Sequence, residues 1–342
     1  SEPVVDPITD ITLSDMSEGE GFRIPGLSLA DRSGREVSNA GDVNGDGYDD
    51  ILVGAAGADS SEQTNAGAAY VVFGNDQSNW PILDLASLDG NNGFVIRGAE
   101  RGEELGFTLS NVGDVNGDGL DDVVIGNYES KEAYLIYGKS DGWAAELNVA
   151  NLSADTGVRI TGLESLEVSL SGAGDFNGDG YDDFILGSES ANTPEGDSNG
   201  EAYLVFGGAD MGAELNVAGL DGQSGVLFYG DANSGNVGFA LSGGGDLNGD
   251  GVSDIIISAP EGTGAANGTG ATGESYVVFG STDGFAAQQP LANLNGTNGF
   301  KINGIALEDK AGSSVSIVGD VNADGIDDFI VSAPDADSAV SN

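Results

Sequence analysis

The chain has 342 residues, with 57 Asp plus Glu against 10 Lys plus Arg, no histidine, no cysteine and a formal net charge of -47. That balance excludes a nucleic-acid partner, which needs a basic face, and it excludes disulfides, thiolate metal sites and any nucleophile–base pair built on Cys or His. With 39% hydrophobic residues falling in short, regularly spaced runs, the chain is still expected to fold, provided something offsets its self-repulsion.

The 58 glycines and the scarcity of helical patterns favour an all-β fold, read as a single domain over residues 1–342. No run reaches the roughly 18 apolar residues of a transmembrane segment. The sequence starts at Ser1 without Met or a signal-like stretch, as expected of a processed or trimmed piece of a longer polypeptide.

In chain order, an amino-terminal segment (residues 1–30) carries FRIPG at 22–26, which reads as a short strand of the fourth type described below. Next comes GDVNGDGYDDILVGA at 41–55, an acidic loop (42–50) that runs straight into an apolar strand. Gly34 stands eight residues before Asp42, and Ser38 four. A polar linker, AGADSSEQTNAG at 56–67, leads to AYVVFG at 69, then a longer stretch containing Trp80, and FVIRG at 94.

This unit returns. GDVNGDGLDDVVIGN begins at 113, GDFNGDGYDDFILGS at 174, GDLNGDGVSDIIISA at 245 and GDVNADGIDDFIVSA at 319, a spacing of about 61 to 74 residues. Gly106, Gly238 and Gly312 repeat Gly34, with Glu167 in its place in the third copy, and Ser110, Ser171, Ser242 and Ser316 repeat Ser38. AYLIYG at 133, AYLVFG at 202 and SYVVFG at 275 follow, each trailed by a segment such as ELNVANLSADTG and a last run: VRITG at 158, VLFYG at 226 and FKING at 300.

Each unit thus offers four runs of β-branched and aromatic residues bounded by Gly, Asn, Asp and Ser, which read as four strands of one antiparallel sheet. One such sheet cannot cover both of its faces, so successive sheets must stack. Four-stranded sheets at this period predict a β-propeller, either a closed small ring of five blades or part of a larger one. A β-solenoid is the competing architecture, but its repeats are usually much shorter. The fifth unit stops after FIVSAP at 329, so in a closed ring the strand at 22–26 is expected to complete the last sheet, with one strand still missing.

In the first acidic loop, positions 1, 3, 5, 7 and 9 are Asp42, Asn44, Asp46, Tyr48 and Asp50. Oxygen side chains at alternate positions, with Gly47 allowing a sharp turn, can wrap one hard cation, with Tyr48 contributing its carbonyl. Calcium, which accepts six to eight oxygens with loose geometry, suits this better than magnesium. A helical calcium hand is excluded, because its bidentate Glu at position 12 is replaced by Val53, Ile125, Leu186, Ile257 or Val331.

In these loops, and in the GAP-like elements Gly54-Ala55-Ala56, Ser258-Ala259-Pro260 and Ser332-Ala333-Pro334, the chain resembles the FG-GAP repeats that build the β-propeller of integrin alpha subunits and bacterial surface proteins. Its calcium loop, D-x-D/N-x-D-G-x-x-D, is matched five times. The "FG" element is weaker, reversed as Gly106-Phe107 and Gly238-Phe239. Carried over by position, the resemblance implies ligands Asp114, Asn116, Asp118, Leu120 and Asp122 in loop 114–122, and Asp175, Asn177, Asp179, Tyr181 and Asp183 in loop 175–183. Loop 246–254 gives Asp246, Asn248, Asp250, Val252 and Asp254, and loop 320–328 gives Asp320, Asn322, Asp324, Ile326 and Asp328. Ala323 stands where the other loops have glycine, which predicts a strained fifth turn. About five Ca2+ ions would bring the formal charge from -47 to about -37. The family usually has seven blades.

An antiparallel meander places the acidic loops on one face with the segments carrying Trp80 and Trp143. The variable loops 56–67, 188–200 and 261–273 fall on the other face, where a rigid scaffold usually displays recognition. The expected function is an extracellular, secreted or cell-surface adhesion module stabilised by calcium, with a cell-surface protein or glycan as partner. The alternative is a structural subunit of a surface layer or filament, assembled with copies of itself by strand complementation. A glycan hydrolase ranks last, because no carboxylate pair stands outside the repeated loops, so no enzyme activity is expected. Asn151, Asn267 and Asn295 lie in glycosylation sequons.

Overall fold

The computed structural model describes residues 21–60, 63–76, 83–164, 168–193, 199–231, 234–263 and 270–336. Trp80, Glu167 and Asn267 lie outside the described residues.

The first sheet contains β1 (Val37–Gly41), β2 (Asp50–Ala55), β3 (Ala68–Val72) and β4 (Gly93–Arg97). The second follows with β5 (Thr108–Gly113), β6 (Asp122–Gly126), β7 (Ala133–Ile136), a three-residue β8 (Glu146–Asn148) and β9 (Gly157–Thr161). The third has β10 (Val168–Gly174), β11 (Asp183–Ser188), β12 (Glu201–Val205), β13 (Glu214–Asn216) and β14 (Gly225–Tyr229). The fourth has β15 (Leu241–Gly245), β16 (Asp254–Ala259), β17 (Glu274–Val278), β18 (Gln288–Pro290) and β19 (Gly299–Asn303), and the chain then forms β20 (Val315–Gly319) and β21 (Asp328–Val331). The four runs read in each of the first four units are all strands, paired antiparallel in sequence order.

Period two explains why these strands read as unbroken apolar runs. In β6, Val123 and Ile125 join the core shared with the first sheet, whereas Val124 joins the core shared with the third. The same alternation places Ile185 and Phe184 on opposite sides of the third sheet. Both faces of an inner sheet are therefore buried, and each inner sheet packs between two neighbours. The innermost strands pack in the order β1, β5, β10, β15, β20, and no comparable packing joins β20 back to β1.

The short β8, β13 and β18 were not anticipated. Each leaves its own unit and pairs in parallel with the last strand of the preceding sheet, Glu146 opposite Val95, Glu214 opposite Arg159 and Gln288 opposite Leu227. The first three sheets are thus five-stranded. A 3-10 turn follows each borrowed strand, and the Asn148 and Asn216 side chains cap it by accepting from the Ala150 and Ala218 N–H groups.

The amino-terminal expectation needs correcting. Residues 22–26 form no strand, and they stand beside the first sheet, where the Leu83 N–H donates to the Arg23 carbonyl at 3.1 Å and Ile24 packs against that sheet's outer core. Leu83 precedes its 3-10 turn by the same two residues as Leu147 does. Residues 22–26 thus lie alongside the Leu83 segment of the first sheet without forming a strand. Among the described residues no third strand lies beside them to supply a ladder. The last sheet consists of β20 and β21 alone among the described residues.

Candidate metal-binding loops

Every acidic loop joins the first and second strands of its sheet and begins at a β-bulge, where the register slips between Asn39 and Gly41, Asn111 and Gly113, Gly172 and Gly174, Gly243 and Gly245, and Ile317 and Gly319. The bulge bends the strand and re-aims the chain into the loop.

Within the loop, the first Asp organises the turn. Asp42 Oδ1 accepts from the Gly45 and Asp46 N–H groups at 2.7 and 3.0 Å, and Oδ2 accepts from Gly47 at 2.8 Å. The Gly47 bond recurs as Gly119 to Asp114, Gly180 to Asp175, Gly251 to Asp246 and Gly325 to Asp320, all at 2.8–2.9 Å. Position 5 accepts from the N–H of position 7 in all five loops, as with Tyr48 to Asp46 at 3.0 Å. These bonds wrap the donor-bearing positions around one tight turn of backbone.

Position 9 makes a contact that the sequence did not disclose. Asp50, Asp122, Asp183 and Asp254 are buried, and each carboxylate staples the loop to the end of the third strand. Asp122 Oδ2 accepts from Val115 N–H at 3.0 Å and Oδ1 from Gly138 N–H at 2.8 Å. Gly74, Gly207 and Gly280 make the same bond to Asp50, Asp183 and Asp254. The glycine closing each AYVVFG-type run is therefore the staple's partner. In the fifth unit Asp328 keeps only the loop half, from Val321 at 3.0 Å and the Asn322 amide at 3.3 Å.

Burial pushes these carboxyls up, to about 7 for Asp50, about 8 for Asp122, about 7 for Asp183 and about 6 for Asp254. The two N–H donors oppose the shift, and the neighbouring loop aspartates add to it. In the metal-free protein a raised folded pKa gives stability that is complete below the unfolded value of about 3.9 and is lost as pH rises through about 6 to 8. In chelator, the melting temperature is thus expected to fall as pH is raised from 5 to 8, a window above that of exposed carboxylates. Differential scanning calorimetry across that range checks it.

The donor chemistry of the loops fits a hard cation: all oxygen, three carboxylates and one amide per loop, plus a main-chain carbonyl. Among the described residues, however, no group of three or more Asp or Glu side chains is drawn together as a metal cluster. The carboxylates answer backbone N–H groups, and the Asn116 and Asn177 amides bridge to Asp118 and Asp179 at 3.0 and 2.9 Å.

The fifth loop carries the strain expected of it. Ala323 sits at φ +63°, whereas its counterparts Gly45, Gly117, Gly178 and Gly249 take φ from +73° to +77° without a side chain. Left-handed backbone costs a non-glycine residue roughly 1–2 kcal/mol. Ala323→Gly is therefore expected to stabilise this loop by about 1 kcal/mol, read as slower amide exchange over 320–328.

On the same face, loop 114–122 and the segment after β7 line a cavity of about 750 Å³ containing Asp118, Leu120, Lys139 and Trp143. Trp143 stacks on Phe94 of the preceding sheet with ring centroids 3.9 Å apart, which fixes that wall and places the Trp143 segment on the acidic-loop face as predicted. No helix among the described residues is long and apolar enough to cross a membrane.

The FG-GAP repeat family model matches residues 33–72, 106–142, 168–205 and 237–278, the first four units; the fifth is not among the matched segments. Integrin alpha-PS2 of Drosophila melanogaster is 28% identical over 283 residues, covering 79% of this chain and 17% of that protein. Integrin alpha-3 of Cricetulus griseus is 30% identical over 150 residues, 44% of this chain and 13% of that protein. Phosphatidylinositol-glycan-specific phospholipase D of Mus musculus is 30% identical over 158 residues, 45% and 18% respectively. The chain spans less than a fifth of the length of these relatives. Each matched segment begins at or just ahead of a first strand and takes in the acidic loop, so the chain carries four FG-GAP repeats and has a propeller-like fold of the integrin alpha kind.

Proposed function

We propose that this chain is a calcium-stabilised, extracellular interaction module whose variable loops present a recognition surface for a cell-surface protein or glycan. The observation that carries the reading is the five-fold recurrence of an all-oxygen loop, stapled to its sheet by a buried carboxylate in four of the five copies, in a chain with integrin alpha relatives. Positions 1, 3, 5 and 9, with the carbonyl of position 7, would hold one Ca2+ in each loop. The cation would supply the positive charge that the crowded carboxylates lack. The protein's own part is to hold positions 1 and 9 in place by the backbone bonds described above.

Calcium modules outside cells work at about 10⁻⁴–10⁻³ M, a range that supports an outside location. The test is capture of cells and of a glycan panel on immobilised protein. Calcium-dependent capture lost in EGTA supports the reading; capture indifferent to calcium, or turnover of the glycan, contradicts it.

A second reading, a subunit of a surface layer or filament, is favoured by one observation. The outer edge of β21 pairs with no strand among the described residues, and Ile330 on that strand is 60% exposed. Concentration-dependent assembly in sedimentation would favour it.

A further inference from the structure

The acidic loops of neighbouring sheets touch through a residue that plays no part as a ligand. At position 8, Asp121 of the second loop accepts from the backbone N–H of Asp42 in the first at 2.7 Å, and returns its own N–H to the Asp42 carbonyl at 3.3 Å. Asp182 repeats this on Asp114 at 2.9 and 3.1 Å, and Asp327 on Asp246 at 2.9 and 3.0 Å. The contact also explains the glycine ahead of position 1: a Cβ on Gly41 would lie 2.2 Å from Asp121 Oδ2, and one on Gly113 2.1 Å from Asp182 Oδ2. A second contact runs alongside. The position 7 side chain of the following loop leans over the position 4 glycine, so that a Cβ on Gly45 would meet Leu120 at 3.0 Å, one on Gly117 Tyr181 at 2.5 Å and one on Gly249 Ile326 at 3.5 Å.

Both contacts change between the third and fourth sheets, although Ser253 Oγ still lies 2.4 Å from where a Cβ on Gly174 would stand. Position 8 is there Ser253, which keeps the backbone bond to the Asp175 carbonyl at 3.3 Å but has no carboxylate to offer the Asp175 N–H. Gly178 faces Thr282 in place of the position 7 residue Val252.

We propose that Asp121, Asp182 and Asp327 are positioning residues that couple cation binding between adjacent loops, and that Ser253 divides the five loops into a group of three and a group of two. The inference rests on the calcium reading of the loops. Position 8 lies between two ligand positions, the carbonyl of 7 and the carboxylate of 9. A cation that fixes them also fixes the carboxylate that holds position 1 of the loop before. By reciprocity, a filled first loop favours filling of the second.

The test is a calcium titration of chelator-stripped protein, followed by peptide-resolved hydrogen exchange over each loop. Loops 42–50, 114–122 and 175–183 are expected to become protected together, and 246–254 and 320–328 together at a separate midpoint. Asp121→Ala should move the midpoint of loop 42–50 to roughly tenfold higher calcium, leaving the last two loops unchanged. Ser253→Asp should merge the two groups, and this variant adds a contact without removing one. Five independent midpoints, or an Asp121→Ala shift equal in all five loops, would overturn the coupling while leaving the calcium reading intact. If no loop gains protection with calcium, both fall.

Discussion

Removing calcium is expected to take away most of the protein's stability. At 10 mM Ca2+ and site affinities of about 10⁻⁴–10⁻³ M, each occupied loop contributes roughly 1.4–2.7 kcal/mol by mass action, and five together roughly 7–14 kcal/mol. Whole domains are stable by only about 5–15 kcal/mol. The dependence should follow the logarithm of calcium concentration, because on the proposed reading the cation binds the folded loop and not the open chain. A melt in excess EGTA against one in 10 mM CaCl2 is expected to show a drop of more than about 10 °C. Magnesium at the same concentration should restore little of it, since a loop of mixed carboxylate, amide and carbonyl oxygens suits the larger ion. Underlying the effect is the net charge of -47, which at neutral pH works against any compact state.

Asp122→Ala is expected to be the most damaging single substitution in the loops, and to remain damaging in chelator. It leaves the Val115 and Gly138 N–H groups buried without their acceptor. Each orphaned group costs about 1–3 kcal/mol, so the loss is roughly 2–6 kcal/mol. Asp122→Asn keeps an acceptor oxygen and should recover part of that. The contrast is Asp118→Ala, at an exposed position whose removal should weaken cation binding yet scarcely change the EGTA melt. Urea denaturation of the three variants, with and without calcium, separates the staple from the ligand. If Asp118→Ala and Asp122→Ala behave alike in EGTA, position 9 has no structural duty of its own.

The parts of this architecture legible in the sequence are those made by local pattern. The strands β2, β3, β6 and β7 are apolar on both faces and bounded by turn residues, and the acidic loops announce themselves by spacing. The borrowed strands were not legible. Glu146, Leu147 and Asn148 offer one apolar side chain in three residues, and their partner, β4, lies some 50 positions away. Their strand character comes from docking. The staple made by Asp122 was hidden for a similar reason, because Gly138 is distant in sequence and the residue already reads as a ligand. Position 8 was hidden by its neighbours: in a run of aspartates, Asp121 looks like more of the same charge, and only the next sheet shows what it holds. The Ser253 exception carried no meaning until that contact was seen. FRIPG reads as a strand by its pattern, but residues 22–26 form none, because among the described residues no third strand lies beside them.

The most direct test of the account is a count of bound metal. Protein at equilibrium in dialysis against 10 mM CaCl2 should bind about five Ca2+ per chain in excess of the free concentration, falling by one for Asp46→Ala. A chain that holds less than one calcium under those conditions would contradict it.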